Sequence, residues 1–87
     1  MQHSSGVLIA VYTVRQQPYG IHAMFSYDNG ETWDTGYVLY TNELTTDLGY
    51  PATIELKDGS LLTVFYGHEV KGTPAVIMQQ KWNFTNG

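Results

Sequence analysis

Short runs of β-branched and aromatic residues, each closed by a cluster of turn formers, constrain this chain more than any other feature. Residues 7–15 (VLIAVYTVR) form a nearly continuous apolar run, the mark of a strand covered on both faces. Pro18 and Gly20 break it, because proline lacks a ladder donor and glycine suits a turn. Residues 21–27 alternate, with Ile21, Ala23 and Phe25 on one face and His22, Met24 and Ser26 on the other. Asp28-Asn29-Gly30 then signals a turn, and residues 33–40 form the returning strand. Residues 41–48 are polar and read as a connecting loop. Residues 50–56 alternate again, with Ala52, Ile54 and Leu56 on one face, and Lys57-Asp58-Gly59-Ser60 predicts a tight hairpin with a primed turn at Asp-Gly. Residues 61–66 and 75–82 supply two further strands around a glycine-containing loop. No segment has the 3.6-residue period and caps of a helix. Six short antiparallel strands, roughly 8–12 residues apart, predict an all-β repeat, sandwich or barrel.

Composition narrows the function. Eighty-seven residues make one small domain or a piece of a larger one. Charged residues reach 14% against an average of about 25%, while aromatics also reach 14%, the reverse of a disordered chain. Net charge is −4 and the basic residues are Arg15, Lys57, Lys71 and Lys81. That balance argues against nucleic acid and against an anionic membrane surface. There is no cysteine, and His3, His22 and His68 lack metal-ligand spacing, so neither a metal nor another cofactor is expected. No apolar run approaches the roughly 18–20 residues needed for membrane insertion by a helix. Residues 1–6 lack the basic start and apolar core of a signal peptide. The compartment stays open, and a secreted or periplasmic parent is compatible with these features. Asn83-Phe84-Thr85 is a glycosylation sequon of low specificity, relevant only in a secretory setting.

Residues 26–33 (SYDNGETW) fit the pattern Ser-x-Asp-x-Gly-x-Thr-Trp at every defined position: Ser26, Asp28, Gly30, Thr32 and Trp33. Asp28 can accept bonds from turn amides, Gly30 can take a backbone conformation that other residues avoid, and Trp33 can cover the adjoining sheet. This is the Asp-box (BNR repeat), and the chain resembles the sialidase superfamily of β-propellers. Residues 15, 18–21, 47–51 and 56–59 extend the likeness to the C-terminal blades of that family, over most of residues 6–82. The resemblance implies about two incomplete blades of a six-bladed sialidase-like β-propeller. Residues 1–42 would hold strands two to four of one blade, including the Asp-box. Residues 43–87 would hold strands one to three of the following, last blade. The box itself is structural and lies away from the active site in that family.

The resemblance also implies a chemistry. Sialidases hold a substrate carboxylate with three arginines and attack with a tyrosine, which approaches an anomeric carbon beside a carboxylate without like-charge repulsion. A phenol with a pKa of about 10 needs a base nearby. Tyr50, in Leu48-Gly49-Tyr50-Pro51, matches the nucleophile position, although Pro51 stands where the family has serine. Arg15 falls where the third carboxylate-binding arginine would, and its guanidinium suits bidentate capture. Glu69 resembles the glutamate that steadies an arginine of the triad, offset by Gly67 and His68. His22 stands where relatives carry arginine and would line the substrate pocket. The acid/base aspartate, two further arginines and the activating glutamate match no segment here. Glu43 and Asp47 are read as solvated loop residues, and Asp34 as the residue that follows the box.

Two readings stay open. In the first, the chain is the C-terminal fragment of a sialidase-like exo-glycosidase that cleaves terminal sialic acid or a related sugar with retention, and is inactive alone. Its partners are then a glycan or sialoside substrate and the remaining blades. In the second, it belongs to a non-catalytic propeller that binds glycans or proteins. In both, open strand edges invite self-association.

Overall fold

The computed structural model describes residues 1–43, 48–68, 72 and 74–84. It has six strands: β1 (Leu8–Val14), β2 (Tyr19–Ser26), β3 (Asp34–Glu43), β4 (Gly49–Glu55), β5 (Leu61–Gly67) and β6 (Val76–Trp82). They form two three-stranded sheets in the orders β1-β2-β3 and β4-β5-β6, antiparallel throughout. The strand limits match those expected from alternation and turn residues to within two residues, except that β3 continues through Glu43, which pairs with Tyr19, into the segment read as a loop. Gly20, read as a turn residue, lies inside β2.

The two sheets bury one face of each against the other. Val7, Ile9, Ala23 and Phe25 of the first unit meet Leu61 of the second, with Trp82 and Phe84 packed alongside. Farther along, Ile21, Leu48 and Phe65 continue the same core, flanked by Tyr40 and Met78. Period-two alternation explains this, since Ile21, Ala23 and Phe25 share one face of β2 and Leu61, Thr63 and Phe65 one face of β5. Thr63 is the polar member of that buried face. Its hydroxyl lies 2.8 Å from the Thr53 hydroxyl and accepts the Trp82 indole N–H at 2.9 Å, which ties β4, β5 and β6 together.

The outward faces are also apolar. Leu8, Ala10 and Tyr12 pair across from Ser26, Met24 and His22 on the outer side of the first sheet, with Val38 beside His22. On the second sheet Ala52 and Ile54 of β4 sit opposite Val64 and Leu62 of β5, and Ile77 of β6 lies opposite Tyr66. The alternation expected for β4 is present, but its apolar side faces solvent, and its packed side carries Pro51, Thr53 and Glu55.

Two local features differ from the sequence reading. The β4–β5 hairpin has a three-residue loop in place of the two-residue primed turn. Leu56 N–H donates to the Ser60 carbonyl at 2.8 Å and Gly59 N–H to the Leu56 carbonyl at 3.0 Å. Gly59 alone takes positive φ, at 86°, so the loop is a type I turn closed by a left-handed glycine. The Asp58 carboxylate accepts from Ser60 N–H at 3.0 Å and from the Ser60 hydroxyl at 2.5 Å, which holds Asp58 right-handed. Residues 1–6 are the second difference. Met1 and Ile9 exchange two bonds at 2.7 and 2.8 Å, and Gln2 pairs with Leu8, so the segment folds back onto β1.

Candidate functional site

Antiparallel pairing gives the double sheet two opposite ends. One end gathers the β2–β3 turn, the β4–β5 turn and residues 3–7. The other gathers the end of β1, the start of β4 and the end of β5.

The first end contains residues 26–33, the segment with the Asp-box pattern. Ser26 donates to Asp28 Oδ1 at 2.8 Å and accepts from Gly30 N–H at 2.7 Å. Thr32 donates to Asp28 twice, from its N–H at 2.9 Å and from its hydroxyl at 2.5 Å. Asn29 and Gly30 both have positive φ, 61° and 91°, and glycine and asparagine are the residues that tolerate this. The bonds from Thr32, then from Ser26, lower the Asp28 carboxyl from about 3.8 to about 2, because each favours the ionised form. Beside this turn, Ser4 donates to both oxygens of Glu55 at 2.7 and 2.6 Å, and His3 Nε2 lies 2.7 Å from the Gly59 carbonyl. Ser26, Asp28, Gly30 and Thr32 close the turn through these bonds, while Trp33 stays partly exposed beside it.

At the opposite end Arg15 meets the start of β4. Gly49 is buried with φ of 135°, and a Cβ there would stand 2.7 Å from Thr13 Oγ1 and 3.2 Å from a guanidinium nitrogen of Arg15. Only glycine permits that approach. Tyr50 follows with φ of 47°, a left-handed conformation that is uncommon for a residue with a large side chain. It is 85% exposed. Its ring stacks on Tyr66, centroids 5.6 Å apart, and with Val64, Phe65 and Ile77 the pair lines an apolar hollow of about 260 Å³. Arg15 therefore reaches the backbone at the base of Tyr50, while the Tyr50 ring lies over Tyr66.

The other expected site residues are placed differently. His22 lies edge-on to Tyr12 at 5.9 Å on the outward face of β2. Thr13 pairs with Ile21, so it and Arg15 approach Gly49 from the opposite face. His22 and Arg15 are thus on opposite faces of the first sheet. Glu69 and Asp47 lie outside the described residues, as does Thr85 of the sequon. Thr13, Tyr66 and Ile77 are additions that sequence reasoning missed. The register of Tyr66 opposite Gly49 is the signal that could have brought Tyr66 in. Among the described residues no group of three or more His, Asp or Glu side chains is arranged to hold a metal.

A guanidinium can hold a carboxylate, and a phenol can present a nucleophilic oxygen once a base takes its proton. Arg15, however, approaches Gly49 on the packed side of β4, whereas the Tyr50 ring lies over Tyr66 on the outward side. No protein-family model, curated protein or solved structure matches this chain. The case for its function therefore rests on the residues and their placement.

Proposed function

We propose that the chain forms two neighbouring blades of a sialidase-like β-propeller, part of an exo-glycosidase acting on a terminal sialic acid or related carboxylated sugar. In this reading Tyr50 is the nucleophile of a retaining mechanism and Arg15 is one clamp on the substrate carboxylate. Two three-stranded antiparallel sheets stacked face to face, each with an apolar outward face, fit a stack of blades that continues on both sides. The observation that supports the catalytic part is the approach of Arg15 to Gly49, the residue before the left-handed Tyr50 at the start of β4, at the end opposite the Asp-box. Left-handed backbone at an exposed tyrosine is the kind of local cost that accompanies a functional position.

The test is hydrolysis of a fluorogenic sialoside by the complete propeller, wild type against Tyr50→Phe. The enzyme reading expects turnover that the variant abolishes, with binding of the carboxylated sugar retained. Full activity in Tyr50→Phe removes Tyr50 from the mechanism. The 87 residues alone are expected to give no turnover, because the acid/base group and the other clamps lie elsewhere in the parent.

The stacking of Tyr50 on Tyr66 beside an apolar hollow favours a second reading, a non-catalytic propeller that uses this aromatic platform to bind a glycan. A complete propeller that binds sugars through Tyr50 and Tyr66 but hydrolyses none would decide for it.

A further inference from the structure

A second cleft opens at the Asp-box end, between β3 and the residues that follow β6. It has a volume of about 310 Å³ and is lined by Phe25, Tyr27, Tyr37, Asn83 and Phe84. That volume is at the lower end of the range for small-molecule sites, roughly 300–1,000 Å³. We propose that this cleft binds one neutral pyranose unit of a glycan, stacked on Tyr37 and hydrogen-bonded to Asn83 and the tyrosine hydroxyls.

The argument starts from the rings. A pyranose has an apolar C–H face and a rim of hydroxyls, so its site needs aromatic surface beside groups that donate and accept. Phe25 is buried and forms the floor, with Phe84 stacked on it at 5.0 Å and Tyr37 set edge-on at 4.8 Å. Tyr37 and Tyr27 remain 43% and 47% exposed, so two aromatic walls face solvent beside a closed floor. Asn83 supplies an amide, which both donates and accepts and so matches adjacent hydroxyls.

Tyr37 is also fixed in advance. Its hydroxyl donates to Asp34 Oδ2 at 2.5 Å, while its ring is held against Phe25. The Asp34 bond, reinforced by burial and by the Asp34 charge, raises the Tyr37 pKa and keeps the phenol protonated. With its proton committed to Asp34, the Tyr37 oxygen is left to accept from a ligand hydroxyl. A ring held at both ends loses little freedom when a sugar stacks on it.

Charge selects the ligand class. Among the described residues no lysine or arginine lines the cleft, Asp34 is bonded to Tyr37, and the chain carries −4 overall. Sialic acid and phosphate are therefore disfavoured here, whereas a neutral hexose or N-acetylhexosamine meets no repulsion. The cleft lies at the end opposite Arg15 and Tyr50, so it is separate from the proposed catalytic rim and does not depend on that reading.

The test is an amide-resolved NMR titration of the full chain with methyl glucoside, methyl galactoside and methyl N-acetylglucosaminide, and with sialic acid for contrast. At least one neutral glycoside is expected to shift Tyr27, Tyr37 and Asn83 with a Kd of roughly 1–10 mM, ordinary for one small ligand. Tyr37→Ala should weaken it about tenfold, a reasonable value for one stacked ring. Asn83→Leu, an exposed substitution that keeps the fold, should weaken it as well. Absence of shifts at these residues with every neutral glycoside overturns the proposal. Sialic acid bound there in preference to the neutral sugars overturns it too, as does unchanged affinity in Asn83→Leu.

Discussion

The two ends of the double sheet solve the same problem, reversing the chain, in opposite ways. At the Asp-box end polar side chains accept from the local amides: Ser26 from Gly30, Asp28 from Thr32, Asp58 from Ser60, and Glu55 from Ser4. Positive φ falls there on Asn29, Gly30 and Gly59, residues that adopt it at little cost. At the Arg15 end positive φ falls on Gly49, crowded by Thr13 and Arg15, and on Tyr50, whose side chain is left in water. One end is arranged for stability, and the other holds an exposed aromatic in a conformation it would not choose. The difference teaches that the conspicuous motif and the candidate chemistry occupy separate places, the first supporting the fold that positions the second.

The strongest way to break this contrast is at Gly49. Gly49→Val places a branched side chain against Thr13 Oγ1 at a backbone angle reserved for glycine. We expect a loss of about 3 kcal/mol or more, since steric overlap and backbone strain add. Urea denaturation should show it, and a variant as stable as wild type would mean that Arg15 does not pack on this turn. Next in size is Ser26→Ala. Ser26 is buried, and removing its hydroxyl leaves the Gly30 N–H without its acceptor. The expected cost is about 1–3 kcal/mol, the usual range for an orphaned buried partner. An effect near zero would make the box a sequence signature without a structural role.

A smaller effect sharpens the contrast at Tyr50. In an extended strand alanine is more stable than glycine, but at φ of 47° the order should reverse. Tyr50→Gly is therefore expected to exceed Tyr50→Ala in stability by about 1 kcal/mol. Both lose the stack on Tyr66 equally, so the comparison isolates the backbone. The opposite order would place Tyr50 in ordinary strand geometry and remove the local cost invoked for its function.

The strands were legible because their signals are local: alternation over a few residues and turn formers at their ends. The Asp-box turn was legible for the same reason. The Lys57–Ser60 loop was misread by one residue, because the carboxylate bond from Asp58 to Ser60 changes which positions go left-handed. Residues 1–6 showed no pattern of their own. Their partners, Glu55 and Gly59, are distant in sequence. The choice of Arg15 and Tyr50 as candidates came from a family likeness and not from spacing. Alternation put His22 on the face opposite Ile21, but only the register of β1 with β2 shows that Thr13, beside Arg15 at Gly49, lies on the other face. The Tyr27, Tyr37 and Asn83 cleft was invisible for a related reason, since it exists only where β3 meets the residues after β6.

The smallest expected effect is on acid stability. Asp28 has a folded pKa near 2 against about 3.8 for a free carboxyl, so it binds fewer protons folded than unfolded below pH 4. Its contribution is complete above about pH 4 and is lost as the pH falls towards 2. Glu55 and Asp58 are lowered too, the first by its bonds to Ser4 and the second by its bonds to Ser60, and they add to the same decline. Asp28 and Asp58 are exposed and Glu55 is partly so, hence water and salt screen them and each effect is modest. Melting temperature measured from pH 5 to pH 2 should fall in wild type and fall less in Asp28→Asn, whose amide does not titrate. Glu55→Gln should flatten the profile by a smaller amount, because its shift is the lesser one. If Asp28→Asn reproduces the wild-type slope, the carboxylate bonds from Ser26 and Thr32 are not made in solution, and the Asp-box end loses the saturation that sets it apart from the Tyr50 rim.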